Sequence, residues 1–384
     1  MELNSLLRRA VELGASDVHL KVGRPPVVRR DGELGELEDA PLVAPTEMEE
    51  ILAAVARPDQ IEAFRAKGDL DLAYQVEGLP RFRVNAFRQR EETSFAFRVI
   101  PALIPSFEAL GLPRGVERLA SEPRGLVLVT GATGSGKTTT LAAMVDHVNR
   151  TRRDHIVTIE DPIEIVHEDK GCVISQREVG LDTASFGEAL RRAMRQDPDV
   201  ILLGELRDAE TAQTALQAAE SGHLVLSTLH TVDAAESCGR MIEFFPPEKQ
   251  QVIRSILAGV LRGVISQRLL PRVGGGRIAA VEVMVSNARI AELIRDGRPD
   301  EITDAVADGE YFDMQTFSQA LIELVLDGSI DRDVAANAAT NRHDFLVALE
   351  RAEKQARVDA AAAAKEAEEP EDEPAPASGL RVAG

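Results

Sequence analysis

Gly125-Leu-Val-Leu-Val-Thr130 runs directly into Gly131-Ala-Thr-Gly-Ser-Gly-Lys137-Thr138 and then into Thr139-Thr-Leu-Ala-Ala-Met-Val145. The first part is an unbroken apolar run, the pattern of a strand covered on both faces. The last part reads as a helix, so a glycine-rich loop joins a buried strand to a helix N-terminus. The loop satisfies G-x-x-x-x-G-K-[ST]. Its glycines let the backbone curl until successive N–H groups face phosphate oxygens, and the helix start adds positive potential. Lys137 is expected to reach the β- and γ-phosphates and Thr138 to ligate magnesium. Gly131, Thr133, Gly134, Ser135, Gly136, Lys137, Thr138 and Thr139 are therefore the expected site for ATP and Mg2+.

Further short apolar runs follow at His155–Glu160, Val200–Leu203, Leu224–Leu229 and Ile278–Val285, separated by helical stretches. Apolar strands alternating with helices predict a mostly parallel sheet. Ser185-x-x-Glu188 and Asp233-x-x-Glu236 have the form of capping boxes, and Gly222 stops the helix begun near Asp208. Hydrolysis needs carboxylates, and two strand ends offer them. Thr158-Ile-Glu160-Asp161-Pro-Ile-Glu164 follows one run and Gly204-Glu205 another, at the carboxyl edge where ligands bind in parallel sheets. Charged groups placed straight after buried strands are costly unless they face a ligand or solvent. A third strand ends in Thr228 and His230.

Upstream, residues 3–13 form an expected amphipathic helix, with Leu3, Leu6, Leu7, Ala10 and Val11 on one face. Alternation then predicts strands at Asp17–Val22, Leu70–Val76, Arg81–Phe87 and Ser94–Ile100, with one helix around Pro45–Arg57. Pro101, Pro105, Gly111 and Pro113 mark a linker. The expected division is a domain over 1–100, a linker over 101–114, an ATPase domain with a helical end over 115–351, and a tail over 352–384. Six acidic residues between Glu366 and Glu373 give that tail no apolar face, which predicts disorder. The chain has 384 residues and a formal charge of −20, a poor match to a nucleic-acid partner. No apolar window is long enough for a membrane span, and no signal peptide is expected at the start. Cys172 and Cys238 make no CxxC pair and read as buried thiols of a reducing compartment.

These motifs together resemble the type IV pilus retraction ATPases, the PilT/PilU group of the type II/IV secretion ATPase superfamily. The resemblance runs from about Leu6 to Arg351, through Ala15-Ser-Asp-Val-His19-Leu, Arg81-Phe-Arg-Val-Asn-Ala-Phe87, Gln176-Arg-Glu-Val-Gly180, Gly204-Glu-Leu-Arg-Asp208, Ser227-Thr-Leu-His230 and Ser266-Gln-Arg-Leu-Leu-Pro271. It implies an α/β chain with a PAS-like N-terminal domain before a RecA-like P-loop ATPase domain with a helical C-terminal part. It implies a homohexameric motor at the cytoplasmic face of the inner membrane, powering pilus retraction through interdomain rotation. The implied partners are a membrane platform protein and a paralogous retraction ATPase, with no nucleic acid. Glu164 is the implied water-activating base, Glu205 acts on the magnesium shell, and His230 occupies the family's histidine box. Arg83 and Arg98 match N-terminal arginines that approach the phosphates.

The missing four-cysteine element and the short N-terminus favour retraction over the extension and secretion enzymes of the superfamily. A RecA-like nucleic-acid translocase is the more distant alternative. Two places depart from the retraction pattern. Arg289-Ile-Ala-Glu-Leu-Ile-Arg295-Asp296 keeps only the second half of a characteristic helix, and Gly131-Ala-Thr is closer to the PilU form of the loop.

Overall fold

Residues 2–30, 32–100 and 104–368 are described by the computed structural model. The chain opens on helix α1 (Leu3–Glu12), whose first amides are capped by Glu2 and which buries Leu3, Leu6, Leu7 and Ala10. That spacing of three, four and seven is one face of a helix. Strands β1 (Asp17–Lys21), β2 (Val27–Arg30) and β3 (Glu33–Glu36), helices α2 (Pro45–Val55) and α3 (Pro58–Lys67), and strands β4 (Asp69–Tyr74), β5 (Phe82–Gln89) and β6 (Glu92–Val99) follow. The strands form a six-stranded sheet in the order β3-β2-β1-β6-β5-β4, antiparallel throughout. Alternation in β5 and β6 sends Phe82, Val84, Ala86, Phe95 and Phe97 inward, where Phe82 and Phe97 meet edge to face at 6.3 Å. This is the PAS-like half. Strands β2 and β3 and helix α3 were not foreseen, since Val-Val-Arg-Arg and Glu-Leu-Gly-Glu carry too few apolar residues to stand out.

The second half runs α4 (Arg114–Ala120), β7 (Gly125–Thr130), α5 (Lys137–Thr151), β8 (His155–Glu160), β9 (Val173–Glu178), α6 (Phe186–Ala193), β10 (Val200–Leu203), α7 (Ala209–Glu220), β11 (Leu224–Leu229), α8 (Ala234–Glu243), α9 (Pro247–Val260), β12 (Leu261–Pro271) and β13 (Arg277–Val285). Its seven-stranded sheet has the order β13-β12-β7-β11-β10-β8-β9. β12-β7-β11-β10-β8-β9 pair in parallel. Every residue of β7, β10 and β11 is buried, as strands covered by helices on both faces require. This is the RecA-like half, and the five apolar runs expected from the sequence are among its strands. The two strands not foreseen are β9 and β12, whose Gln176, Arg177, Arg262 and Gln267 interrupt the apolar pattern.

Beyond β13 come α10 (Ala288–Asp296), α11 (Ile302–Ala307), α12 (Phe317–Leu326), α13 (Arg332–Ala338) and α14 (Arg342–Glu368). Contacts divide the chain into two units, Met1–Leu269 with Val281–Thr316, and Leu270–Ala280 with the chain from Phe317 on. The second unit has its own core of Leu270, Ala280, Phe317, Leu321, Ala335, Phe345 and Leu349. The sequence expectation of a disordered tail from 352 needs correction, because α14 continues to Glu368. The run of alanines from 360 to 364 is the strongest of helix formers and carries the helix on. The rest of that tail, 369–384, lies outside the described residues, as do 101–103 of the linker.

The β5–β6 hairpin turns on Arg90 and Glu91, both left-handed at φ 51 and 67 and both exposed. A two-residue turn with both residues left-handed suits Asn-Gly, and an ordinary side chain there costs about 1 kcal/mol. Arg90→Asn with Glu91→Gly is expected to stabilise the protein by about that amount, read as a rise of a few degrees in melting midpoint. An unchanged or lower midpoint would mean that the two native side chains make compensating contacts.

Candidate functional site

The glycine loop closes tightly on itself at the carboxyl end of β7. Gly131 has φ 139, and a Cβ there would stand 2.5 Å from the Gln267 carbonyl oxygen of β12 and 2.6 Å from Ser135 Oγ. Gly134 and Gly136 are also left-handed, and Gly136 caps the N-terminus of α5. Lys137 opens that helix and folds back, its Nζ donating to the carbonyls of Gly131 at 2.7 Å and Ala132 at 3.0 Å. Burial pulls the Lys137 ammonium below its ordinary pKa, countered by the charges of Glu205 and Glu164. Those two carboxylates are near enough to act on the lysine's charge although they follow different strands, β10 and β8. Thr133 and Thr138 are exposed and Thr139 partly so. Ser135 Oγ is buried without a hydrogen-bond partner among the described residues. A buried unsatisfied hydroxyl is costly, and here it lies in a loop shaped to take phosphate oxygens.

Parallel register brings the carboxyl ends of β8, β10 and β11 alongside that loop, with Leu229 opposite Thr130, Leu203 opposite Ser227 and Ile159 opposite Leu203. Thr228 Oγ1 donates to the Gly204 carbonyl at 2.7 Å, and the Leu206 amide donates to the Thr228 carbonyl at 3.1 Å. These bonds fix the backbone on either side of Glu205. Its carboxylate accepts from Arg207 and lies 3.4 Å from His230 Nε2. The Arg207 hydrogen bond, opposed by burial and helped by His230, holds Glu205 below the usual carboxylate range. His230 itself is exposed. Arg207 also approaches Asp161 at 3.9 Å and stacks over Phe186.

The acidic stretch after β8 separates its carboxylates by environment. Glu160 accepts from Thr158 Oγ1 at 2.6 Å and Gln176 Nε2 at 3.2 Å. Burial pushes its carboxyl above the usual range against those bonds. Glu164, further along the loop, makes no such side-chain bonds among the described residues and lies 3.6 Å from Arg83 Nη1, an arginine of the N-terminal sheet. Arg83 and Arg98 stand directly opposite each other on β5 and β6. The structure nevertheless gives them different partners, since Arg98 Nε donates to Asp17 Oδ1 at 2.9 Å within its own sheet. Burial raises the Asp17 carboxyl, but the hydrogen bonds from Arg98 and Ser16 outweigh it and leave the pKa lowered. Of the expected residues, then, the loop, Lys137, Glu164, Glu205, His230 and Arg83 come together, while Arg98 faces elsewhere.

A cleft of about 750 Å³ adjoins the group, lined by Glu205, His230, Thr231, Asp233, Gly239 and Arg240 among others. No residue of the glycine loop lines it. Sequence reasoning missed Arg207, Gln176 and the buried pair Arg81–Glu178, all lying inside motifs it quoted. For Arg81 the available signal was its spacing of two from Arg83, which in a strand means a shared face.

Comparison with known proteins agrees with this geometry. Residues 1–276 match the family model described as type II/IV secretion system protein. The chain is 44% identical to the type IV pilus retraction ATPase PilT of Pseudomonas aeruginosa, covering 90% of this chain and 100% of that one. It is 40% identical to the type IV pilus ATPase PilU of the same organism over 90% of each chain. A crystal structure of the pilus retraction motor PilT with bound ADP superposes with a TM-score of 0.85 at 43% identity, covering 90% of this chain and 98% of that one. The Legionella pneumophila ATPase DotB follows at 0.73 and 29% identity, covering 87% and 94%. The chain belongs to the type II/IV secretion system protein family and, within it, to the PilT/PilU group of ATPases.

Proposed function

We propose that this chain is the subunit of a homohexameric motor that hydrolyses ATP to retract type IV pili. The observation that carries the reading is the tight glycine loop at the carboxyl end of β7, with the charges of Glu205 and Glu164 acting on its Lys137 and Arg83 standing 3.6 Å from Glu164. In this reading domain 1–100 moves against the ATPase domain 115–351 through the linker 101–114. The ring works at the cytoplasmic face of the membrane on a platform protein, alongside a paralogous ATPase. No described helix is long and apolar enough to cross a membrane, so attachment would run through that platform.

The loop amides and Lys137 bind the triphosphate, with Lys137 exchanging the Gly131 and Ala132 carbonyls for β- and γ-phosphate oxygens. The exposed Thr138 hydroxyl and the Glu205 carboxylate are oxygen donors of the kind Mg2+ takes. Thr138 and Glu205 would hold that ion, which supplies charge neutralisation on the phosphates. Glu205, kept ionised by Arg207, suits that place. Glu164 orients the attacking water and takes its proton, being free of the hydrogen bonds that occupy Glu160. Arg83 stabilises charge on the transferred phosphoryl, Arg98 supports the hairpin that carries it, and His230 senses the state of Glu205.

Lys137→Ala is expected to abolish turnover, and phosphate release near the wild-type rate would defeat the assignment. Glu164→Gln and Glu205→Gln should each lower turnover by about a hundredfold or more while nucleotide still binds. A normal Glu164→Gln beside an inactive Glu160→Gln would move the base within the acidic stretch. Arg83→Ala is expected to cost about a thousandfold in phosphate release with the hexamer intact by light scattering, and unchanged release would return Arg83 to a surface cation. The physiological test is deletion of the gene. Surface pili that accumulate without retracting support the proposal, and their loss points to extension.

A further inference from the structure

Arg81 lies two residues before Arg83, and its carbonyl accepts from the Ile100 amide at 2.8 Å, so it continues the ladder that starts β5. Its guanidinium leaves the N-terminal sheet and donates to Glu178 Oε2 at 2.9 Å. The two side chains are only 17% and 6% exposed, so the pair is shielded from water. The same Oε2 accepts from the Ile163 amide at 3.1 Å. Glu178 ends β9, and Ile163 is the residue immediately before Glu164. One carboxylate oxygen therefore joins the N-terminal sheet, the edge of the seven-stranded sheet and the acidic loop.

Apart from the more exposed Arg83–Glu164 pair, the other ties on that loop among the described residues come from the ATPase half. Gln176 accepts from the His167 amide at 2.8 Å and donates to the Ile165 carbonyl at 2.9 Å. Lys170 reaches Asp146, and Asn149 Oδ1 accepts from the amides of Lys170 and Cys172, all from α5. These hold the loop to its own domain, whereas only the Glu178 carboxylate carries it to Arg81.

We propose that Arg81 and Glu178 are positioning residues that set Glu164 in its working place, so that the position of the N-terminal sheet decides whether the acidic loop is competent for hydrolysis. The proposal rests on the reading of Glu164 as the water-activating carboxylate. Truncating one partner of a buried charge pair leaves the other uncompensated, and Glu178 then loses its grip on the Ile163 amide or shifts to regain solvent. A displacement of about 1 Å at the reacting group can cost about a hundredfold in rate, with no change in the loop that binds nucleotide.

The test measures ATP turnover and ADP affinity of the full chain with Arg81→Gln, Arg81→Lys, Glu164→Gln and the Arg81→Gln/Glu164→Gln pair. Arg81→Gln is expected to lose about a hundredfold in kcat with ADP affinity nearly unchanged. Arg81→Lys keeps the charge and should recover much of it, and Arg81→Gln should add no further loss on top of Glu164→Gln. Wild-type kcat in a folded Arg81→Gln beside an inactive Glu164→Gln would overturn the proposal alone. Full activity of Glu164→Gln would remove the reading beneath it and the proposal together. Parallel loss of kcat and ADP affinity would make the pair a general structural support and would also overturn it. If Arg81→Gln does not fold, Arg81→Lys decides. A kcat lowered severalfold at unchanged melting midpoint supports the proposal, and an unchanged kcat ends it.

Discussion

Gly131 has room for a hydrogen atom and nothing larger. The Gln267 carbonyl stands on one side and the Ser135 hydroxyl on another, both within 2.6 Å of where a Cβ would be. That closeness ties the glycine loop to β12 and makes the loop a property of the whole sheet. β12 must lie beside β7 for Gln267 to be there, and its register places Ser266 opposite Thr130, where the two hydroxyls share a hydrogen bond at 3.0 Å. Gln267 then reaches back over the loop to donate to Thr140 of α5 at 2.8 Å. Strand, loop and helix are thus held from one neighbouring strand. The Ser266 hydroxyl and the Gln267 amide nitrogen find partners there, while Gln267 Oε1 is buried without one among the described residues.

The same carboxyl edge sorts charges that would otherwise repel. Glu160 is driven towards its neutral form by burial, Glu205 is kept ionised by Arg207, and Lys137 sits between carboxylates with its charge disfavoured by burial. Groups of like kind with opposite shifts mark a site in which each is suited to a different task.

Much of this was legible from the sequence. The glycine loop with its flanking strand and helix left little choice, since each element was signalled independently by pattern and spacing. The apolar runs of β7, β8, β10, β11 and β13 announced a buried parallel sheet. What stayed hidden was hidden for physical reasons. β9 lies at the sheet edge and can afford Ser175, Gln176 and Arg177, so its composition looks like a loop. The Arg90–Glu91 turn lacks the asparagine and glycine that signal such turns. Arg83 and Arg98 were matched by resemblance to the family's N-terminal arginines, and the hairpin does make them neighbours. Whether each faces Glu164 or Asp17 depends on the direction of two long side chains, which no spacing rule determines. The tail was misjudged over 352–368 because composition favours disorder while alanine favours helix, and over that run the local propensity won.

Arg81, just before β5, and Arg83, within it, both reach the acidic region but differ in how firmly they are held. Arg83 and Glu164 are separated by 3.6 Å with both side chains well over a third exposed, and such a pair contributes about 0–1 kcal/mol. Arg83 can therefore leave Glu164 for a phosphate group at little cost. Arg81 and Glu178 are shielded, hydrogen-bonded at 2.9 Å and joined by a backbone amide, so breaking them exposes an uncompensated charge. A fixed contact just before β5 and an exchangeable one within it thus lie two residues apart. A nucleotide site that must keep its own loops in register while exchanging partners needs both kinds, and the exchangeable arginine is the one that faces Glu164.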